Sequence, residues 1–195
     1  TRNEFFLRNG EVYAADNSLE FCMCDTKTGE MLYSMEGNHL LQDGMLASDI
    51  DENGEWYAYS SEEKQQLVIG NFEEGDIRTL EVNINAIEEI NLAMHEKVVY
   101  LTYMDESMDV YDITSGKLLR SYNNLTGMVQ DVVEYPDEKK TLLITSGDAY
   151  LLNIDREVIA YIQGYEDYRK MTDSFVLSKF STLYEVPCYD TQELV

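Results

Sequence analysis

Proline is almost absent from this chain, with two residues in 195, Pro136 and Pro187. Both stand beside turn-like residues, so nothing breaks the extended segments between them. Tryptophan occurs once, histidine twice (His39 and His95) and cysteine three times. An odd number of cysteines argues against a disulfide framework. Cys22 and Cys24 fall on one face of a strand but are followed by no second metal-ligand pair, so they read as core thiols. Basic residues are scarce: 14 Lys and Arg face 38 Asp and Glu, for a net charge of −24. Such a surface repels phosphate backbones and anionic lipids, which excludes nucleic acid and leaves a basic protein or a cation as the natural partner. The same acidic residues also keep solvated hairpin tips soluble.

Long apolar runs are missing too. No stretch approaches the ~18 to 20 residues of a membrane helix, and the N-terminus lacks a signal-peptide pattern. The chain enters strand-like sequence at once (Glu4-Phe5-Phe6-Leu7), which suggests a piece of a longer protein and leaves its compartment unassigned. The phosphate-cradling patterns G-x-G-x-x-G and G-x-x-x-x-G-K do not occur, nor does a G-x-S-x-G nucleophile elbow. His95 falls at an expected hairpin tip and His39 in a connecting loop, where exposed histidine needs no catalytic explanation. Carboxylates are too numerous for any one to stand out as a perturbed acid.

Among what is present, tyrosine leads the aromatics with 15 copies, in a chain that is 44% hydrophobic. That bias favours pleated, half-buried strands. A pattern also returns about every 40 residues: two short apolar strands, a D-x-x-x-G-like hairpin and a further strand. Its clearest copies are Leu19-Glu20-Phe21-Cys22-Met23-Cys24-Asp25-Thr26-Lys27-Thr28-Gly29-Glu30-Met31-Leu32-Tyr33 and Met108-Asp109-Val110-Tyr111-Asp112-Ile113-Thr114-Ser115-Gly116-Lys117-Leu118-Leu119-Arg120. Short strands at that period predict an all-β chain built as a β-propeller of four-stranded antiparallel blades.

Four blades read in full, over 4–36, 45–82, 87–122 and 128–163, and a fifth, over 165–195, is incomplete. Asn9-Gly10 marks a tight hairpin in the first. In the fifth, 165–172 is a weak match to an inner strand, and the outer strand falls near or past Val195. The total is about four and a half to five blades. Two architectures fit: a closed five-bladed ring using Glu4–Leu7 for closure, or an open arc cut from a larger propeller. An open arc leaves unpaired edges and tends to self-associate.

These repeats resemble the broad superfamily of WD-like, quinoprotein-like and related β-propellers. Ser48-Asp49-Ile50-Asp51-Glu52-Asn53-Gly54-Glu55-Trp56-Tyr57-Ala58-Tyr59-Ser60-Ser61 looks like the hairpin between the first two strands in that group, and Tyr111-Asp112 and Tyr189-Asp190 stand where Trp-Asp is usual. The Gly-His pair of true WD repeats and the regular tryptophans of quinoprotein dehydrogenases are missing, so the resemblance implies architecture alone.

One metal motif stands out. Asp49, Asp51 and Asn53, with Gly54, copy the first half of a calcium loop, but Ser60 occupies the position of the bidentate glutamate. A plain hairpin is the simpler reading, and no cofactor is expected otherwise. Tyr57, Tyr59, Tyr100, Tyr103, Tyr111, Tyr150, Tyr161 and Tyr184 either pack between blades or expose an aromatic recognition cluster. Asn124-Leu125-Thr126 matches a glycosylation acceptor, meaningful only in a secreted protein. The expected function is a non-enzymatic recognition or scaffold module that binds a protein partner. A propeller enzyme, quinoprotein-like dehydrogenase or hydrolase, and a cation-dependent sensor remain the alternatives.

Overall fold

A computed structural model gives the architecture. It describes residues 3–8, 11–16, 22–25, 28, 30–34, 47–51, 55–61, 64–71, 74–137, 139–165, 167–170, 174–179 and 182–187. Side chains are described at 28 and 30 and, with the same gaps and without 76, across 47–165.

The chain is all-β. β1 (Asn3–Arg8), β2 (Glu11–Asp16), β3 (Cys22–Asp25) and β4 (Met31–Ser34) form the first sheet, in that order. β5 (Ser48–Ile50), β6 (Trp56–Ser61), β7 (Gln66–Asn71) and β8 (Gly75–Leu80) form the second. β9 (Ile87–Ala93), β10 (Val98–Tyr103), β11 (Met108–Asp112) and β12 (Leu118–Tyr122) form the third, and β13 (Val129–Tyr135), β14 (Lys140–Thr145), β15 (Asp148–Leu152) and β16 (Val158–Gln163) the fourth. A last, three-stranded sheet holds β17 (Asp167–Lys170), β18 (Ser174–Lys179) and β19 (Thr182–Pro187). Every pairing is antiparallel between sequence neighbours, as a chain of short hairpins dictates.

The first strands of successive sheets, β5, β9 and β13, lie beside one another, which is the inner rim of a propeller. The middle strands are buried almost throughout, whereas the outermost, β12 and β16, are mostly exposed. Alternation along β10 explains how the sheets join. Val99 and Leu101 pack with Ala58, Leu67 and Ile69 of the second sheet, while Val98 and Tyr100 pack with Leu143 and Leu152 of the fourth. A third core of Val133, Leu142, Ile144 and Leu151 covers the far face of the fourth sheet, with Ala160, Ile162 and Tyr165 at its margin.

One expectation changes. Glu4–Leu7 does not supply closure: β1 pairs along its whole length with β2 and holds the first place in its own sheet, so it is not the outer strand of the last one. The segment before β9 begins as a single 3-10 turn, Ile84–Ala86, because Ile84 is buried while Asn83 and Asn85 stay exposed. Among the described residues, no helix is long and apolar enough to cross a membrane.

Each outer strand meets its neighbour through a register shift near its start: β4 on Met23/Cys24, β8 on Ile69/Gly70, β12 on Val110/Tyr111 and β16 on Leu151/Leu152. Such bulges sharpen the right-handed twist that a blade needs. Gly70 sits at one of them, where an added Cβ would overlap the buried Tyr57 ring and approach the Gly75 carbonyl oxygen to 2.7 Å. Gly70→Ala should therefore destabilise the fold by about 1–3 kcal/mol, the usual range for overpacking. Chemical denaturation checks this, and an unchanged midpoint would contradict the packing described.

Candidate functional site

The best-defined chemistry lies at the junctions between sheets. At the second junction, Asp49 on β5 reaches across to β9, where its Oδ2 accepts the Leu92 N–H at 2.6 Å. Asp51 holds its own hairpin: Oδ1 accepts the Glu55 and Trp56 N–H groups at 2.8 and 2.7 Å. Both carboxylates of the calcium-like motif thus accept backbone hydrogen bonds, one of them in a neighbouring blade. Asn53 lies outside the described residues. Among the described residues, no group of three His, Cys, Asp or Glu side chains gathers as a metal site would.

The junction between third and fourth sheets is richer. Glu134 on β13 grips the β9–β10 hairpin, with Oε2 accepting the His95 N–H at 3.0 Å and Oε1 the Glu96 N–H at 2.6 Å. Glu96 in turn accepts the Thr141 hydroxyl at 2.8 Å and the Arg156 guanidinium at 2.8 Å. The Arg156 backbone carbonyl closes the circuit by accepting the Tyr122 hydroxyl at 2.5 Å. Arg156 adopts φ of +59°, in the turn position where the third sheet has Gly116 at +72°. A side chain there is strained, and the ion pair with Glu96 and the Tyr122 bond hold it.

Two further carboxylates organise tyrosines. Asp109 accepts the hydroxyls of Tyr103 at 3.1 Å, Tyr111 at 3.4 Å and Ser121 at 2.5 Å. Asp148 accepts the Gly164 N–H at 3.0 Å and the Tyr150 hydroxyl at 3.3 Å, while that hydroxyl accepts the Thr126 N–H at 2.9 Å. Tyr165 donates to the Thr145 carbonyl and completes the anchoring of both blade connections. Asp112, in the Tyr-Asp pair, caps its own turn by accepting the Ser115 N–H and hydroxyl.

Burial and charge set the acidities. Burial pushes the Tyr103 and Tyr100 phenols far above their ordinary value, with Asp109 and Glu96 adding to the effect respectively. Burial also pushes Tyr122 up to about 12. Burial raises Glu134 against the two N–H groups that favour its charge. Asp105 and Asp112 move down, held by the hydroxyl and then the N–H of Ser107 and Ser115.

Of the two readings of the tyrosines, packing describes most of those with described side chains. Tyr57, Tyr59, Tyr100 and Tyr150 are buried and Tyr103 and Tyr111 half-buried, whereas Tyr161 is 63% exposed. The side chain of Tyr184 and all of His39 lie outside the described residues, as do the side chains of Cys22 and Cys24. His95 does sit at the hairpin tip, exposed, with its backbone engaged by Glu134. Sequence reasoning passed over Glu134, Glu96, Asp109 and Asp148, because their partners come from other strands.

No known protein family profile matches the chain. No curated protein matches it either. Among solved structures it is similar to Sqt1 of Saccharomyces cerevisiae, a WD40 β-propeller protein, at TM-score 0.62 and 13% identity. The match covers 95% of this chain and 59% of Sqt1, so the chain spans well under two thirds of that protein's length. The fold is thus that of a partial β-propeller.

Asp49→Ala strands a backbone donor on a buried strand and should cost about 1–3 kcal/mol, equally with and without calcium. Calorimetry checks both parts, and a calcium-dependent midpoint in the unsubstituted protein would favour the metal reading. The carboxylates titrate in opposite directions. Glu134, raised in the fold, contributes stability below its unfolded value that is lost as pH rises through the folded one. Asp112, lowered, contributes stability above its unfolded value that is lost as pH falls through the folded one, and its exposure keeps the effect small. Carboxyl NMR titration should place Glu134 above the ordinary glutamate range and Asp112 below the ordinary aspartate range. The reverse order would refute the geometry.

Proposed function

We propose that this chain is a non-enzymatic propeller module that recognises a protein partner as part of a larger protein. The observation that carries the reading is how the carboxylates are used. Asp49, Asp51, Glu96, Asp109, Asp112, Glu134 and Asp148 each accept hydrogen bonds from a hairpin, a turn or a neighbouring blade. Groups engaged in this way hold surfaces still, which is what a recognition module needs of them.

Two further facts support it. Apolar side chains stand exposed on the outer strands: Ile77 on β8, Leu118 and Leu119 on β12, and Val158, Ile159 and Tyr161 on β16. Exposed apolar area that folding leaves uncovered marks interaction surfaces. The net charge of −24 then selects for a basic partner, because association of opposite charges is steered and like partners are repelled.

Cross-linking of the intact protein, followed by mass spectrometry and reconstitution with the purified partner, tests the proposal. One protein should join the outer surface of the blades and form a binary complex that weakens as salt rises. No reconstituted complex, together with turnover of a dye electron acceptor or an ester, would replace this reading with an enzymatic one.

A further inference from the structure

The outer strands with described side chains differ in charge. β8 carries Arg78, and β12 carries Arg120, but the six residues of β16, Val-Ile-Ala-Tyr-Ile-Gln, carry none. Edge strands present a row of unpaired N–H and C=O groups, and charged side chains are the usual protection against a further strand. β16 is the last strand of its sheet and lacks that protection.

Its apolar groups are open as well. Val158 and Ile159 are 44% and 43% exposed, and Tyr161 is more exposed than either. The Tyr161 ring is nonetheless fixed, stacked on Tyr150 with centroids 6.2 Å apart and planes 21° apart. Tyr150 is itself pinned by Thr126 and Asp148. The register shift at Leu151/Leu152 bends the first residues of β16, while Ala160–Gln163 pair regularly with Asp148–Leu151. An uncharged edge, regular over Ala160–Gln163 and carrying a stacked aromatic, is therefore presented to solvent.

Charge decides what pairs with it. Asp155 and Glu157, both exposed, precede the strand, and Glu166 and Asp167 follow it in the sequence. Pairing of two copies brings together two chains of charge −24, which repel one another. A strand with basic ends meets no such opposition.

We propose that the open edge of β16 receives an extended strand from a basic partner protein, apolar or β-branched at its centre and carrying Lys or Arg at each end. Main-chain hydrogen bonds supply the affinity and the Ile159 and Tyr161 side chains the selectivity, as in other strand-addition complexes. The inference rests on the recognition reading above and narrows it to one edge.

The test uses a short blocked peptide of alternating valine and threonine with paired lysines at each end. With the labelled full chain, amide shifts should concentrate on β16, and the doubly substituted Ile159→Lys, Tyr161→Lys protein should bind roughly tenfold more weakly. A peptide with proline at its centre should not bind, since it cannot complete the ladder. Tyr161→Thr, which adds no charge, guards against misfolding and should show intermediate affinity with an unchanged spectrum elsewhere. Shifts on the turns instead of β16, unchanged affinity in the lysine variant, or a dimer dissolved by that variant would each overturn the inference. If the cross-linked partner is still captured by the lysine variant, the recognition reading stands and only the edge falls. If no partner forms a complex with the unsubstituted chain, the recognition reading itself falls.

Discussion

The apolar residues of β10 point to both faces of its sheet, and neither face can be covered from within the same sheet. Val99 and Leu101 need the second sheet; Val98 and Tyr100 need the fourth. The rest of the structure depends on this two-sided burial. A four-stranded sheet with one covered face would leave several large side chains in water, each worth about 1.5–3 kcal/mol of lost burial. Stacking neighbours around an axis covers both faces at once, and the inner strands β5, β9 and β13 are brought side by side as a result.

Such stacking leaves the backbone at the hairpin ends to be satisfied separately. Acidic side chains do this from one blade to the next: Asp49 to Leu92, Glu134 to His95 and Glu96, Glu96 to Thr141 and Arg156. The strongly acidic composition is therefore more than a solvated coat. Some of it ties neighbouring sheets to one another.

The strands were legible because short apolar runs such as Val98–Tyr103 are bounded by turn residues. Their ends were legible less often. The 3-10 turn at Ile84–Ala86 follows from the burial of one isoleucine in a neighbouring core, which no local pattern reveals. The strained turn residue Arg156 stands where Gly116 makes the repeat recognisable, so a search for glycine misses the equivalence. The candidate site was harder still. Asp49 reads either as part of a plain hairpin or as a calcium ligand, and its hydrogen bond to Leu92, 43 residues away, was not legible. Glu134 gave no sign at all, since its role is fixed by a hairpin 38 and 39 residues earlier. Composition led to a basic protein or a cation as the partner to propose, while the exposure along β16 led to an edge.

Native-state hydrogen exchange tests the dependence of each sheet on its neighbours most directly. If the shared cores bind the blades into one unit, the slowest amides of β6, β10 and β14 exchange with a common opening free energy, while the outer-edge amides of β16 exchange well ahead of them. Sheets that open one at a time, with β14 still protected after β10 has exchanged, would contradict the account.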